Sequence, residues 1–310
     1  MGLAQISPVW LDRAATLRRV VEQVEAAGAR GCDVVGFGES LVPGYPFWLA
    51  HTGGARFDDA LQKDLHARYC REALDLERGD LAGVCAAAAK TGCAVYLGVV
   101  ERPADRGGHS LYCSLVYVDR EGRIAGVHRK LQPTYEERLV WGPGDGRGLA
   151  AHALGDWLLG GLNCWENWMP LARAALYAQG VNVHFAVWPG AVRNTRDITR
   201  FIALESRSYV VSVCSPLRRE QVPMDFPRRA DVIDLLPEVM ADGGSCVAAP
   251  DGNWLLEPQA GAEGLFVVEL DRARVDAERQ NFDASGHYSR PDVLRLRLDD
   301  RRAGVLERVG

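Results

Sequence analysis

Three side chains carry the chemical interest of this chain: Glu39, Lys130 and Cys164, an acid, an ammonium and a thiol in that order along 310 residues. The thiol has the most informative setting. Cys164 lies in Gly160-Gly161-Leu162-Asn163-Cys164-Trp165-Glu166-Asn167-Trp168-Met169-Pro170. An apolar strand pattern precedes it. A helical pattern near 167–179 follows, which would turn Leu171, Ala174, Ala175 and Ala178 inward. Pro170 suits a first helical turn, where no backbone donor is needed. At such a corner the helix dipole and free N–H groups favour thiolate over thiol. The Trp165 N–H would also face an anion bound beside the sulfur. The plain alternative is a buried cysteine at a tight turn.

Lys130 belongs to Val127-His128-Arg129-Lys130-Leu131-Gln132-Pro133-Thr134-Tyr135-Glu136-Glu137-Arg138, which ends a strand and enters a loop. Alternation along the strand puts Lys130 and His128 on one face and Arg129 on the other. A basic triplet there is ordinarily solvated, and Lys130 matters only where something nearby needs a cation. Glu39 follows the apolar run Val34-Val35-Gly36-Phe37, at the strand end where open α/β folds place ligands. An exposed loop acid is its bland reading. The continuation Tyr45-Pro46-Phe47-Trp48 is unusually aromatic for a solvated loop, and fits a pocket lining, core packing or an interface.

The elements that must position these residues alternate between strand and helix. Residues 2–6 and 33–37 read as strands. Residues 13–27 read as a helix with Ala14, Leu17, Val21 and Val24 inward, Asp12 as N-cap and Gly28 just past the end. A helix over 80–91, stopped by Gly92, leads into a strand over 93–100. Two hairpins follow the same logic: 111–118 with 123–129 around Asp119-Arg120-Glu121-Gly122, and 245–249 with 253–257 around Pro250-Asp251-Gly252. Between them come strands near 157–162, 182–187 and 209–214 and helices near 167–179 and 196–207. Each half thus supplies strands, a hairpin and two helices. This predicts a four-layer αββα sandwich of two mixed sheets with outer helices and pseudo-twofold internal symmetry. Residues 40–62, 131–148 and 215–243 read as long irregular loops, which in one domain usually carry function.

Composition narrows the function. Charged residues make up 25% and the net charge is −5, so nothing favours nucleic acid or an anionic membrane. No run approaches the roughly 18 apolar residues that span a bilayer. No signal peptide precedes the first strand, which points to the cytosol. The eight cysteines contain no C-x-x-C, so neither disulfides nor a metal cluster is expected.

The Glu39, Lys130, Cys164 order resembles the Glu-Lys-Cys triad of the nitrilase superfamily. His128-Arg129-Lys130-Leu131 with Pro133-Thr134, then Glu137-Arg138-Leu139-Val140-Trp141-Gly142 and Gly144-Asp145-Gly146, is similar to true nitrilases. So are Cys164-Trp165-Glu166 with Met169-Pro170-Leu171 and the closing Gly286-His287-Tyr288-Ser289-Arg290-Pro291-Asp292-Val293. The likeness runs from the first strand to about residue 298. It departs at Gly38, where the family usually has Pro, at Ser40, and at Cys113, where Asn is common.

The resemblance implies one carbon-nitrogen hydrolase domain over 1–310, with 280–310 as a C-terminal tail. It implies Cys164 as nucleophile, Glu39 as general base, Lys130 as stabiliser of developing charge, and Glu137 as a second carboxylate holding the ammonium. The alternative for Glu137 is a solvated ion pair. Glu166 either touches substrate or caps the helix start. Tyr45, Trp165 and Trp188 are candidates for the pocket wall, or for core. The expected reaction is hydrolysis of an organic nitrile to carboxylic acid and ammonia, with neither metal nor organic cofactor. Amidases, carbamoylases and cyanide-hydrolysing enzymes on the same triad are the runner-up reading, and an idle binding scaffold a more distant one. The partners implied are a small nitrile, water and further copies of the chain. The resemblance implies a homodimer or larger homo-oligomer, and the brief tail implies smaller assemblies than the spirals of the family.

Overall fold

The central strands are largely apolar and buried because layers cover both of their faces. Val34–Phe37, Ala94–Glu101, Val183–Val187 and Tyr209–Val213 are buried at every position. The computed structural model describes residues 1–302. The first half contains β1 (Gly2–Gln5), α1 (Arg13–Ala29), β2 (Val34–Phe37), α2 (Trp48–His51), α3 (Ala60–Glu72), α4 (Ala82–Thr91), β3 (Ala94–Glu101), β4 (Tyr112–Val118) and β5 (Ile124–Arg129). The second half contains β6 (His152–Leu154), β7 (Trp157–Asn163), α5 (Pro170–Tyr177), β8 (Val183–Val187), α6 (Val192–Ser206), β9 (Tyr209–Val213) and β10 (Pro216–Arg218). It closes with α7 (Arg229–Val232), β11 (Val239–Ala248), β12 (Trp254–Ala260), β13 (Gly264–Val267) and α8 (Arg272–Arg279).

The strands form two mixed sheets. One has the order β13-β1-β2-β3-β4-β5; the other runs β10-β11-β9-β8-β7-β6, with β12 paired to β11. The sheets face each other through Leu3, Val34, Tyr96 and Leu115 on one side and Leu159, Val183, Phe185 and Val211 on the other. Tyr96 stacks on Phe185 with ring centroids 4.4 Å apart. Each such side chain contributes about 1.5–3 kcal/mol by leaving water. The helices α1 and α4 cover the outer face of the first sheet through Val20, Val24, Ala27, Val84 and Ala88. On the second sheet, α6 covers the outer face through Ile198, Ile202 and Ala203, and α5 through Ala172, Ala175 and Leu176. The helix–sheet–sheet–helix order expected from the sequence is therefore present.

Strand direction explains where functional residues gather. β2 and β3 run parallel, and β4 and β5 form two successive antiparallel steps, so β5 again points the same way as β2. β7 and β8 are parallel to each other. The Glu39 N–H donates to Trp188 O at 3.1 Å, which joins the C-terminal edge of one sheet to that of the other.

Three local expectations are corrected. Asp12 does cap α1, accepting from Ala15 N at 2.8 Å, but the buried stripe is Thr16, Val20, Val24 and Ala27. Ala14 is exposed, while Leu17 and Val21 are half-buried shoulders, because the sheet takes one stripe and α4 grazes the next. Gly28 lies inside the helix, where an added Cβ would sit 2.5 Å from Thr91 Cβ. The second correction concerns α5, which starts only at Pro170. Its inner face is consequently Ala172, Ala175 and Leu176, whereas Leu171 and Ala178 are exposed. Third, the irregular stretches contain order: α2 and the start of α3 within 40–62, and β10 and α7 within 215–243.

Candidate active site

Glu39, Lys130 and Cys164 emerge at the ends of β2, β5 and β7, and the fold brings all three together. Each is buried, as is Glu137. Lys130 Nζ donates to Glu39 Oε1 and to Glu137 Oε2, both at 2.7 Å. One ligand-type atom from each of Glu39, Glu137 and Cys164 falls within 4.8 Å of the others. Glu137 is held by three donors: Lys130, the Thr134 N–H at 2.7 Å and the Tyr45 hydroxyl at 2.8 Å. The solvated ion pair considered for Glu137 is therefore excluded.

Close backbone approach seats these groups. An added Cβ at Gly98 of β3 would lie 2.1 Å from Gly38 O and 2.7 Å from Glu39 Cα, so only glycine lets the Glu39 turn rest on the strand. At Gly144 an added Cβ would lie 2.1 Å from Arg129 O, and the Gly144 N–H donates to Lys130 O at 2.7 Å. Positive φ at non-glycine residues recurs along this edge: Ser40 at 45°, Tyr135 at 46°, Cys164 at 47° and Ala191 at 79°. Such conformations cost about 1–3 kcal/mol each and persist only when surrounding contacts hold them.

At Cys164 those contacts are visible. Asn167 Nδ2 donates to Cys164 O at 2.8 Å and to Leu162 O at 3.2 Å, and Asn167 Oδ1 accepts from His184 Nε2 at 2.8 Å. Glu166 ties this corner to the Lys130 strand. Its carboxylate accepts from Asn163 N at 2.9 Å, from Leu131 N at 2.5 Å, and pairs with His128 Nε2 at 3.0 Å. Glu166 thus caps its turn, the second of the two roles considered for it, and also bridges the segments carrying two of the three site residues. The basic triplet is not solvated either. His128 faces Glu166, Lys130 faces the two acids, and on the opposite face Arg129 forms a bidentate pair with Glu101 at 2.7 and 2.9 Å. Alternation placed them correctly; burial was the unforeseen part.

Comparison with known proteins identifies the family. The carbon-nitrogen hydrolase family model matches residues 1–280. The chain belongs to the carbon-nitrogen hydrolase family. It is 34% identical over 315 residues to a protein named nitrilase 2 from an unknown prokaryotic organism, covering 100% of this chain and 96% of that one. It is also 34% identical to an aliphatic nitrilase of Sinorhizobium fredii, covering 99% and 98%. Among solved structures, a carbon-nitrogen hydrolase from Helicobacter pylori superposes with a TM-score of 0.68 at 18% identity, over 94% of this chain and 95% of that one. An amidase from Nesterenkonia superposes with a TM-score of 0.64 at 17% identity, over 90% and 96%.

The electrostatics of this carbon-nitrogen hydrolase correct one expectation. The turn after Cys164 is a five-residue 3-10 segment, Cys164–Trp168, and the α-helix begins only at Pro170. No α-helical N-terminus meets the sulfur, so a macrodipole cannot supply a resting thiolate. Burial pushes the Cys164 thiol well above 9.0, and Glu39 adds to the rise; Lys130 and the Trp165 N–H oppose it. Burial likewise raises Glu39 to about 7 against the pull of Lys130. Lys130 is held above its usual range by Glu39 and the other acids around it, which outweigh its burial, so the ammonium is permanent. The arrangement is thus a neutral thiol, a carboxyl group poised near neutrality and a fixed cation. Although Glu39, Glu137 and Cys164 are spaced like metal ligands, the Lys130 ammonium bonds both carboxylates, and a divalent ion there would meet that charge.

The aromatic candidates separate. Tyr45 bonds Glu137 directly; Trp188 is wholly buried in the cluster that contains Cys164; Trp165, next to Cys164 in the chain, is 51% exposed. Sequence reasoning missed His184, Asn167 and Cys113. The Asn at the third position after Cys164 was the available signal, since Asn at a turn commonly bonds nearby backbone.

Proposed function

We propose that this enzyme hydrolyses an organic nitrile to its carboxylic acid and ammonia, with Cys164 as nucleophile, Glu39 as general base and Lys130 as the charge-stabilising cation. The reading is supported by buried Glu39, Lys130 and Glu137 around Cys164, in a chain a third identical over its whole length to proteins named nitrilases. The Cys164 proton passes toward Glu39 as sulfur attacks the nitrile carbon, and the nitrogen is protonated to give a thioimidate. One water adds, ammonia leaves, and a thioester remains. A second water, deprotonated by Glu39, releases the acid and restores the thiol. Lys130 and the Trp165 N–H offset negative charge as it develops. Glu137 keeps the ammonium in place through its bonds to Tyr45 and Thr134.

Tyr45, Trp165 and Trp188 form the substrate wall in this reading. We further propose a single catalytic domain over 1–310 with 280–310 as its tail, of which 303–310 lie outside the described residues, and a cytosolic setting supported by eight free cysteines. Self-association is supported by the exposed apolar strip Trp165, Trp168, Met169, Leu171, Phe201 and Leu204. No helix among the described residues is long and apolar enough to cross a membrane. The deciding experiment is a panel of aliphatic, aryl and arylacetonitriles beside the matching amides, with ammonia measured. Turnover of nitriles to acids supports the reading; turnover of amides alone overturns it.

A further inference from the structure

β4 places a second thiol inside the site. Cys113 is 1% exposed, and its Sγ lies 3.3 Å from Glu39 Oε1. A carboxylate offers only acceptors, so the thiol is the donor. Burial and the neighbouring Glu39 push Cys113 well above its usual value, and it keeps its proton across the working range. The same oxygen, Oε1, also accepts from Lys130 Nζ at 2.7 Å. Glu39 Oε2 is buried and has no hydrogen-bond partner among the described residues. Two donors therefore converge on one carboxylate oxygen and leave the other unengaged.

Cys113 is itself held rigidly. It pairs with Val100 in the β3–β4 register, and its carbonyl accepts the Lys130 N–H at 2.7 Å. The backbone that delivers the ammonium to Glu39 is thus bonded to the residue that delivers the thiol.

We propose that Cys113 is a positioning residue for Glu39: its S–H pins Oε1 beside Lys130 and leaves Oε2 as the oxygen that takes and returns the proton. This rests on Glu39 being the base. In the proton step the hydrogen leaves Cys164 Sγ for Oε2 and is passed on to the substrate nitrogen. Cys113 keeps its own hydrogen, and no bond to its sulfur forms or breaks. Losing the S–H contact removes a donor to the charged carboxylate, so Glu39 becomes more basic and freer to rotate.

The test is the pH profile of kcat/KM for Cys113→Val, Cys113→Ala and Cys113→Ser, on whichever nitrile the enzyme turns over. Valine fills the site without a donor, alanine empties it, and serine restores a donor. The expected result is an acid limb displaced upward by about half a pH unit in the Val and Ala variants, equivalent to about threefold in kcat/KM below it. Their kcat falls more than KM rises, while the serine variant keeps the wild-type limb. Thermal unfolding of all three separates packing loss, which lowers the melting temperature without moving the limb. Val and Ala limbs coincident with wild type overturn the proposal, as does a Ser limb that moves as far as theirs. Glu39→Gln run alongside distinguishes the failures. Retained turnover there removes the base itself; an inactive Glu39→Gln with unmoved Cys113 variants removes only the role of Cys113.

Discussion

Replacing Glu166 tests whether the two halves of the site are held in register by one carboxylate. Glu166 is 1% exposed, and it accepts from Leu131 N, Asn163 N and His128 Nε2. Glutamine keeps the shape but has a single acceptor oxygen, so its amide nitrogen must face a donor. Losing one charge-assisted bond costs about 1.5–3 kcal/mol. Alanine leaves every partner unpaired in a buried place, for about 3–5 kcal/mol. Urea unfolding at pH 7 should therefore rank wild type above Glu166→Gln and Glu166→Ala last. The neighbouring His128 holds Glu166 below its ordinary 4.5 despite its burial. A depressed folded value means the stabilisation is fully present above about pH 4.5 and is lost as pH falls through the folded value. The gap between wild type and Glu166→Gln should close on that acid side. Because Leu131 and Asn163 adjoin Lys130 and Cys164, catalysis should fall as well, by about 10²-fold if the groups drift by about 1 Å. A Glu166→Gln variant within about 0.5 kcal/mol of wild type, the scatter of ordinary surface substitutions, and of unchanged kcat/KM refutes the reasoning.

Three further outcomes follow from the same geometry. Glu39 must be ionised to accept a proton, so kcat/KM should decline below about pH 7, and a flat profile from pH 5 to 8 contradicts that. The same raised value implies that the Glu39 contribution to stability is present below its ordinary 4.5 and is lost as pH rises through about 7; unfolding of Glu39→Gln should lack this loss. Gly98→Ala puts a methyl 2.1 Å from Gly38 O, so the Glu39 turn must shift. Activity should drop by about 10²-fold, consistent with a displacement of about 1 Å at the base, and a crystal structure should show Glu39 moved.

The layers, both hairpins and most of the strands were legible because periodicity and turn residues are local signals; β6, β10 and β13 were not read from the sequence. The buried face of α1 was read one stripe off, since Ala14, Leu17, Val21 and Val24 satisfy the helical period as well as Thr16, Val20, Val24 and Ala27 do. Only the neighbouring sheet decides between them. The setting of Cys164 was legible as a corner but not as a 3-10 turn, and with the α-helix delayed to Pro170 the dipole argument lapsed. Burial of His128, Arg129 and Lys130 depended on Glu166, Glu101 and Glu39, acids distant in sequence, so no local pattern could announce it. Cys113 stood out only as a departure from a family pattern until its sulfur was seen beside Glu39.

The central claim is that Cys164, alone among eight cysteines, forms the covalent intermediate. Rapid acid quench during nitrile turnover, followed by peptide mass spectrometry, reads this directly. The account predicts an acyl or imidoyl mass increment on the peptide containing Cys164, absent in Cys164→Ala together with all ammonia release. An increment on the Cys113 peptide or any other, or ammonia released at the wild-type rate by Cys164→Ala, contradicts it.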